Sequence, residues 1–520
     1  MVSINRKRAK TALLIFLILI VLVLIGLTFY YSGYIEVFRN IVNGQKTEKD
    51  IIDGISINDV ELNYDSISNT YYLPINLEEN EETKLDIKIN TNYNIDSKIG
   101  DKEFKKEIEI AEPINYTKTY QLDVETWLYN KSYIIKFTNL PSISLNFNEN
   151  DVGFEYTYSE FSITDPSYKE NDSKYQYFDD AEVRYRGSST AGYPKKSYRI
   201  KLEKNVDFGF LGMTTSKTWI LDGLVTDPSC LRTKIASDIW NRMNEDLSEE
   251  KHEDLRSEFV ELYVNGEYVG LYLLKETIDE DLLDLDKDTG VLIKGANWNQ
   301  IDFNNYSNVE SETFGPFEMK YPENKKQYPE AWRNILDKMK RYYTGDTSYY
   351  ALEENFYVEN VVNQKIFILI TQALDNYEYK NIYYSIKNDE EDTEVLLTPW
   401  DLDLTFGMLW SNEESDYTEQ YERVGEIVET IGTKSDEKTA QAYKERWNLL
   451  IQKALNKEEI NKLIDEQYEY ISIANSLERE NIRNANIEIK SNVNKQEEIQ
   501  ELKDWYSKRF DVINNYINSL

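Results

Sequence analysis

The chain begins with one long apolar segment, Leu13–Tyr31. About 19 residues are enough to cross a bilayer as a helix that rises ~1.5 Å per residue. Four basic residues lie within residues 6–10, and the next one is Arg39. Because basic residues favour the cytoplasmic side, the pattern predicts a cytoplasmic tail (1–12), a single transmembrane anchor (13–31) in the cell membrane, and an extracellular remainder. The alternative is a cleaved secretory signal.

Short alternating runs follow over residues 51–150. Apolar residues alternate with charged or polar ones at Leu85–Ile89 and Tyr120–Val124, and turns rich in Asn, Asp and Glu separate the runs. Alternation with a period of two is typical of half-buried strands. Several short strands in ~100 residues favour an all-β, Ig-like sandwich. We therefore predict a spacer or docking domain here, with no catalytic residues.

The pattern changes near Val152. Strand-like runs continue to about residue 295, and apolar residues recur every three or four positions after about residue 329, most clearly in Phe356–Leu374. This order predicts an α+β region with a β-rich lobe (152–295) and a helical lobe (329–520). Ligands commonly bind between two such lobes.

The composition narrows the chemistry. Lys and Arg number 59 and Asp and Glu number 94, so the formal charge is −35. This charge argues against nucleic acid as a partner, because binding phosphate backbones requires basic surface. The chain has one His (His252) and one Cys (Cys230), which excludes an intramolecular disulfide and thiolate or His-rich zinc sites. Carboxylates, amides, Lys, Arg and hard metal ions remain.

The first polar motif lies between two predicted strands. Arg186 is followed by Gly187, Ser188 and Ser189, and Lys196 comes shortly afterwards. A glycine followed by hydroxyl residues can present N–H and O–H groups to phosphate oxygens, and the two basic residues add positive charge. The same residues are also compatible with an ordinary turn.

Two further motifs follow apolar elements. Asp375 and Asn381 come directly after the long apolar helix, where loops often carry catalytic groups. Residues 399–407 read Pro-Trp-Asp-Leu-Asp-Leu-Thr-Phe-Gly, so in an extended segment Asp401 and Asp403 share one face. Mg²⁺ prefers one or two carboxylates together with substrate phosphates. The alternatives are a simple helix end for the first motif and a structural ion pair for the second.

Together the motifs follow the order of a protein kinase: a phosphate loop, a Lys, a helix, Asp and Asn, then Asp before Gly. From about Arg184 to the C-terminus the chain resembles the spore-coat-protein-H (CotH) kinase family. The segments that carry the resemblance are Arg-Gly-Ser-Ser, Pro-Lys-Lys-Ser-Tyr-Arg-Ile-Lys-Leu, Asp-Pro-Ser-Cys-Leu-Arg, Glu-Leu-Tyr-Val-Asn-Gly-Glu-Tyr-Val-Gly-Leu-Tyr and the segment at 399–407. The resemblance implies an atypical protein-kinase-like, two-lobed domain that uses ATP with Mg²⁺ or Mn²⁺.

The resemblance also implies roles for individual residues. Lys196, with Lys195 as a rival, matches the phosphate-binding lysine. Asp375 matches the catalytic-loop aspartate. The implied metal ligands are Asp401, Asn381 and Asp403, and the implied nucleotide contacts are Arg186, Gly187, Ser188, Ser189, Lys196 and Glu276, the last in a hinge-like region that would border the adenine.

The chain departs from ordinary kinases in three respects. Its phosphate loop has one glycine, no His-Arg precedes Asp375, and Asn381 is six residues further on. In the helix predicted over Pro228–Met243, Asp238 is an available partner for the lysine, although nothing in the pattern assigns it that role.

We therefore predict a membrane-anchored α+β protein that transfers the γ-phosphate of ATP to Ser or Thr of cell-envelope or spore-coat proteins. One alternative is a non-catalytic surface scaffold or adhesin on a kinase-like fold. Another is carbohydrate hydrolysis by paired carboxylates. A nucleotide-binding assay separates the kinase from both.

Overall fold

The structure is a computed structural model of the 520-residue chain. It describes residues 15–27, 51–77, 82–126, 130–148, 151–167, 176–187, 190–248, 252–299, 301–303, 305–306, 308–343, 352–376, 379–390, 393–409, 417–418, 437–487 and 494–520.

The structure corrects the prediction of a transmembrane anchor. Residues 15–27 are helical. No helix among the described residues is long and apolar enough to cross a membrane. The predicted fold class included a transmembrane helix and is wrong in this respect. The described chain is a mixture of helices and sheets with β-rich units. The rest of the predicted tail and anchor, residues 1–14 and 28–31, lies outside the described residues.

The chain separates into two compact units, and the first comprises Met1–Asn139, Thr164–Gln176 and Gly266–Tyr268. It contains a four-stranded sheet in the order β2-β1-β5-β8 and a six-stranded sheet in the order β3-β4-β10-β9-β6-β7. The strands are β1 Gly54–Ile57, β2 Val60–Glu61, β3 Asn63–Asp65, β4 Thr70–Pro74, β5 Glu82–Asn90, β6 Asp96–Ile99, β7 Lys102–Phe104, β8 Glu107–Pro113, β9 Tyr120–Glu125 and β10 Asn130–Thr138. Alternate residues of β5 and β9 are buried in one shared apolar core, as the period-two pattern predicted.

The second unit comprises Leu140–Ile163, Tyr177–Asn265 and Val269–Leu520. It contains a closed barrel with the strand order β11-β12-β13-β14-β15-β17-β16. The strands are β11 Ser142–Asn146, β12 Thr157–Thr164, β13 Gln176–Arg186, β14 Ser197–Asp207, β15 Thr215–Asp222, β16 Ser257–Val264 and β17 Glu267–Glu276. The first of them, β11, pairs in parallel with β16. The predicted bounds 51–150 and 152–520 stay predictions.

A five-stranded sheet and most of the helices follow the barrel. The sheet order is β19-β20-β18-β21-β22, with β18 Val291–Gly295, β19 Thr313–Phe314, β20 Phe317–Tyr321, β21 Ile382–Ile386 and β22 Leu396–Pro399. The helices are α1 Arg232–Asn244, α2 Tyr328–Tyr343, α3 Val358–Thr371, α4 Glu437–Leu450, α5 Lys457–Ser472, α6 Ser476–Arg483 and α7 Lys495–Ser519. Single 3₁₀ turns occur at Thr190–Gly192, Gly209–Leu211, Lys325–Gln327 and Leu374–Asn376.

The central helix α3 positions the polar residues that follow it. Almost all of its side chains are buried, which explains why the segment is apolar on every face. It ends at Gln372, whose backbone is left-handed and whose N–H bonds to the carbonyl of Ile368. The backbone N–H of Phe406 donates to Thr371 O at 2.7 Å. The segment that carries Asp401 and Asp403 is therefore fixed to the end of α3.

Candidate active site

Asp375 lies in the short turn directly after α3 and is only 7% exposed. One of its carboxylate oxygens, Oδ2, accepts a hydrogen bond from Nδ2 of Asn381 at 2.7 Å. The other, Oδ1, accepts one from Nζ of Lys380 at 2.5 Å. Asp375 and Asn381, which the sequence analysis placed in one motif, are therefore in direct contact. Lys380, which the sequence analysis did not select, orients the same carboxylate.

Asn376 joins this turn to the segment that carries Asp401. Its Nδ2 donates to the carbonyl of Asn381 at 2.9 Å and to the carbonyl of Trp400 at 2.7 Å. The N–H of Trp400 also donates to the carbonyl of Asn381, at 2.8 Å. Asn381 and Asp401 both have positive φ, 53° and 61°, a conformation that Asn and Asp tolerate better than most residues. The two polar segments are thus held side by side by backbone contacts.

Gly295 lets the neighbouring sheet approach this loop. Its carbonyl accepts a hydrogen bond from the N–H of Asn381 at 2.8 Å. A Cβ at this position would overlap the carbonyl oxygen of Tyr379. Any side chain larger than hydrogen would therefore displace the backbone that leads into Asn381.

Three carboxylates interact close to Arg186. Nη2 of Arg186 lies 3.7 Å from Oδ1 of Asp401, and Oγ1 of Thr226 donates to Oδ2 of Asp403 at 3.0 Å. Burial and the negative charges of Asp401 and Asp222 raise the pKa of Asp403 to about 7. The structure therefore brings Arg186, Asp401 and Asp403 together.

Asp222 and Lys275 form an ion pair that the sequence analysis missed. Nζ of Lys275 lies 3.0 Å from Oδ2 of Asp222. Burial opposes ionisation of Asp222, but the charges of Lys275 and Arg186 outweigh it and hold the pKa of Asp222 at about 2. Asp222 is the last residue of one strand and Lys275 the next-to-last residue of another, so the sequence pattern carried no signal that they form a pair.

The Trp400 ring is an aromatic platform between cations. The Arg186 guanidinium lies 5.7 Å from its centroid and the Lys275 ammonium 4.9 Å. The Tyr383 ring meets it edge-on at 5.9 Å, and the ammonium of Lys294 lies 5.7 Å from the Tyr383 centroid. Distances of this size are typical of cation–π contacts.

The predicted phosphate loop is described in part. Gly187 has φ +97°, and a Cβ there would overlap Oγ1 of Thr190, so the turn requires glycine. Ser188 and Ser189 lie outside the described residues. Nζ of Lys196 donates to the carbonyl of Ala191 at 2.6 Å, which places this lysine against the loop.

The neighbouring lysine, Lys195, is buried. Its Nζ donates to the carbonyl of Leu271 at 2.6 Å and to Oε1 of Glu480 at 2.8 Å. The side chains of Lys195 and Glu480 are 1% and 0% exposed. Asp238, the carboxylate available in α1, pairs instead with Lys234 at 2.5 Å. Of the two adjacent lysines, Lys196 is therefore the one placed to reach a ligand in the loop.

Glu276 ends β17 and is buried in contacts with the protein. Its Oε1 accepts hydrogen bonds from the N–H and Oγ1 of Thr214, and its Oε2 lies 3.6 Å from Nη1 of Arg256. Burial raises its pKa. Glu276 also lines an open cleft, and Asp401 lines the same cleft. The structure therefore places the predicted hinge residue and a predicted metal ligand on one cavity.

The side chains near Asp401 offer oxygen donors to a divalent cation. No group of three or more Asp, Glu, His or Cys side chains is arranged as a metal site in the described ranges. The oxygens of Asp401, Asp403 and Asn381 are the hard donors that Mg²⁺ prefers when phosphates complete its shell. Oδ1 of Asn376 is also buried with no hydrogen-bond partner among the described residues. The chemistry of this donor set fits Mg²⁺ or Mn²⁺.

Asp403 is expected to make the stability of the protein depend on pH. An aspartate in an unfolded chain ionises near pH ~4, whereas folded Asp403 keeps its proton up to about pH 7. The folded state binds more protons in this window, so the free energy of unfolding should decrease as pH rises from ~4 to ~7. Asp403→Asn should remove this part of the dependence.

The measurement is the melting temperature of both proteins across this window. The difference between them isolates Asp403 from Glu253, whose pKa burial also raises to about 7. Equal slopes in the wild type and Asp403→Asn would contradict the prediction.

The chain is similar to a known protein family and to a curated relative. A family model described as CotH kinase protein matches residues 183–513. The inner spore coat protein H of Bacillus subtilis (strain 168) is 26% identical over 234 residues, which cover 44% of this chain and 59% of that protein. The match thus spans less than two thirds of the length of this relative.

Proposed function

The chain belongs to the CotH kinase protein family, and from this premise we propose that it transfers the γ-phosphate of ATP to a Ser or Thr hydroxyl of a protein. The family resemblance expected from the motifs is thereby confirmed. One observation carries the proposal. Asp375 and Asn381 are hydrogen-bonded to each other, and backbone contacts hold them beside Asp401 and Arg186.

In the proposed reaction, the hydroxyl oxygen of the acceptor attacks the γ-phosphorus of ATP. The bond between this phosphorus and the β–γ bridging oxygen breaks, and ADP leaves. The proton of the hydroxyl passes to the carboxylate of Asp375, the role of the catalytic aspartate in kinases. Lys380 and Asn381 each hold one oxygen of this carboxylate and so fix its orientation.

The nucleotide phosphates are assigned to the cations on the barrel side of the site. Arg186 ends β13, and Lys196 follows the loop at Gly187. Asp401, Asp403 and Asn381 would hold a bound Mg²⁺ or Mn²⁺, which neutralises charge on phosphate oxygens. Lys275 forms an ion pair with Asp222 and so reduces the negative charge of the protein near these phosphates.

Asp375→Asn tests the assignment of the base. The variant should lose transfer by about 10²- to 10⁴-fold, the range for removal of a general base. Binding of Mg-nucleotide should change little, because Asp375 acts on the acceptor hydroxyl. Transfer from labelled ATP and calorimetric titration with ATP measure the two effects. Asp389→Asn, at an exposed position, is the matched control, and full activity of Asp375→Asn would remove Asp375 from this role.

The relative suggests a substrate and a location. The B. subtilis protein is named as an inner spore coat protein, and we propose the same location and a spore-coat protein substrate for the present chain. Cell-envelope proteins are the second substrate class. Incubation of the purified chain with labelled ATP and extracted coat or envelope proteins tests both substrate classes. If the chain labels itself but labels no protein in either extract, both substrate classes are contradicted.

A non-catalytic scaffold is the second candidate function. One observation favours it: Lys196 contacts a backbone carbonyl and has no carboxylate partner among the described residues, whereas active kinases pair this lysine with a glutamate. Titration of the wild type with ATP in the presence and absence of Mg²⁺ separates the two functions. A stable protein that neither binds ATP nor transfers phosphate would be a scaffold.

A further inference from the structure

Lys294 is a largely buried cation on the central strand of the five-stranded sheet. It lies on β18, opposite Glu318 of β20 and Tyr383 of β21. Its ammonium lies 5.7 Å from the Tyr383 ring centroid. Within the described part of the chain, it makes neither a hydrogen bond nor an ion pair. The side chain therefore keeps three donors available for a ligand.

The surroundings of Lys294 favour an anion. Burial lowers its pKa to about 8, against the opposing charge of Asp401, so little water compensates the ammonium. A partly buried charge without a hydrogen-bonded partner is costly. Arg186 also acts on Lys294 electrostatically, and it lies 3.7 Å from Asp401. Two cations from different sheets thus flank one carboxylate, an arrangement that suits a multiply charged anion.

The position of Lys294 in the sheet brings it close to the proposed catalytic residues. The next residue, Gly295, accepts a hydrogen bond from the N–H of Asn381. The Tyr383 ring beneath Lys294 packs against Trp400, which directly precedes Asp401. Lys294 is therefore adjacent to the residues proposed for phosphate transfer.

We propose that Lys294 binds the terminal phosphoryl group of the nucleotide, together with Arg186. This inference rests on the proposed phosphotransfer function and adds a binding residue that none of the sequence motifs contains. A purely structural lysine, held only by the Tyr383 ring, is the competing explanation. It would affect stability without distinguishing one nucleotide from another.

The first test compares ATP with ADP. In the full chain with Mg²⁺, Lys294→Met should weaken ATP binding by about 10- to 100-fold, the loss expected for a hydrogen bond to a charged group. Binding of ADP should change by less than about threefold, because ADP lacks the terminal group. Lys387→Met is the control, since this lysine is exposed and pairs with Asp284 at the surface, and it should leave both affinities unchanged. Equal losses for ATP and ADP, or no loss, would overturn the assignment.

The second test does not depend on kinase activity. The wild-type chain is treated with an amine-acetylating reagent in the presence and absence of inorganic tripolyphosphate, and mass spectrometry measures acetylation at each lysine. Tripolyphosphate should protect Lys294 at least about fivefold, as an estimate for a lysine engaged by phosphate, and should leave Lys387 unprotected. Unprotected Lys294 in a chain that binds ATP would overturn this inference alone. Protection of Lys294 in a chain that transfers no phosphate would support the anion site and contradict the proposed function.

Discussion

Replacing Asp401 with Asn is expected to reduce phosphate transfer by at least ~10³-fold. The change removes a charge where the proposed metal and the nucleotide phosphates meet, and loss of such a contact costs several kcal/mol of transition-state stabilisation, each ~1.4 kcal/mol being tenfold in rate. The Asp401 side chain is 41% exposed, and its ion pair with Arg186 spans 3.7 Å. Because exposed pairs contribute little to stability, the melting temperature should change little.

Two measurements decide this prediction. Transfer from labelled ATP and thermal melts are recorded for the wild type, Asp401→Asn and the exposed control Asp389→Asn. If the activity of Asp401→Asn fell only in proportion to its unfolding, Asp401 would be a structural residue and the metal assignment would be lost.

Replacing Lys195 with Met is expected to lower the free energy of unfolding by about 3–5 kcal/mol, the cost of breaking a buried pair. The change would leave Glu480 charged in a site where its side chain is 0% exposed. Glu480 also accepts a hydrogen bond from the N–H of Leu271 at 2.8 Å, so it cannot move to solvent without breaking a second contact.

A double-mutant cycle tests the cause of this loss. Lys195→Met combined with Glu480→Gln removes the uncompensated charge, so the double variant should be more stable than Lys195→Met alone. Lys201→Met is the control, because Lys201 forms an exposed pair with Glu182 at 3.9 Å and should cost less than about 1 kcal/mol. Denaturant unfolding is measured for the wild type, Lys195→Met, Glu480→Gln, the double variant and the Lys201→Met control. A double variant less stable than the single one would show that shape, rather than charge, dominates here.

The local pattern of apolar and polar residues was sufficient to predict several strands and helices and part of the candidate site. The alternating runs Leu85–Ile89 and Tyr120–Val124 lie in the strands Glu82–Asn90 and Tyr120–Glu125. The apolar helix predicted from Phe356 runs over Val358–Thr371. In long periodic runs, the spacing of apolar residues reflects which side chains are buried, and this explains why the predicted and observed elements agree. Asp375, Asn381 and Asp401 stood out because they interrupt or end apolar segments.

The remaining features depend on contacts that no local window contains. Lys275, Lys294 and Asp222 are ordinary charges in strands until sheet register brings them to one place. The pairing of β11 with β16 joins residues more than a hundred positions apart. The transmembrane prediction was wrong, because no helix among the described residues is long and apolar enough to cross a membrane.

Gly295 has a consequence for other members of the family. Because even a methyl group there would collide with the backbone at Tyr379, a chain that carries a larger residue at this position must have moved its catalytic loop away from the sheet. Such a chain would lose the contact between Gly295 and Asn381, and with it the alignment of the proposed base. We therefore expect the residue at this one position to indicate whether the turn that carries Asp375 keeps its contact with the sheet.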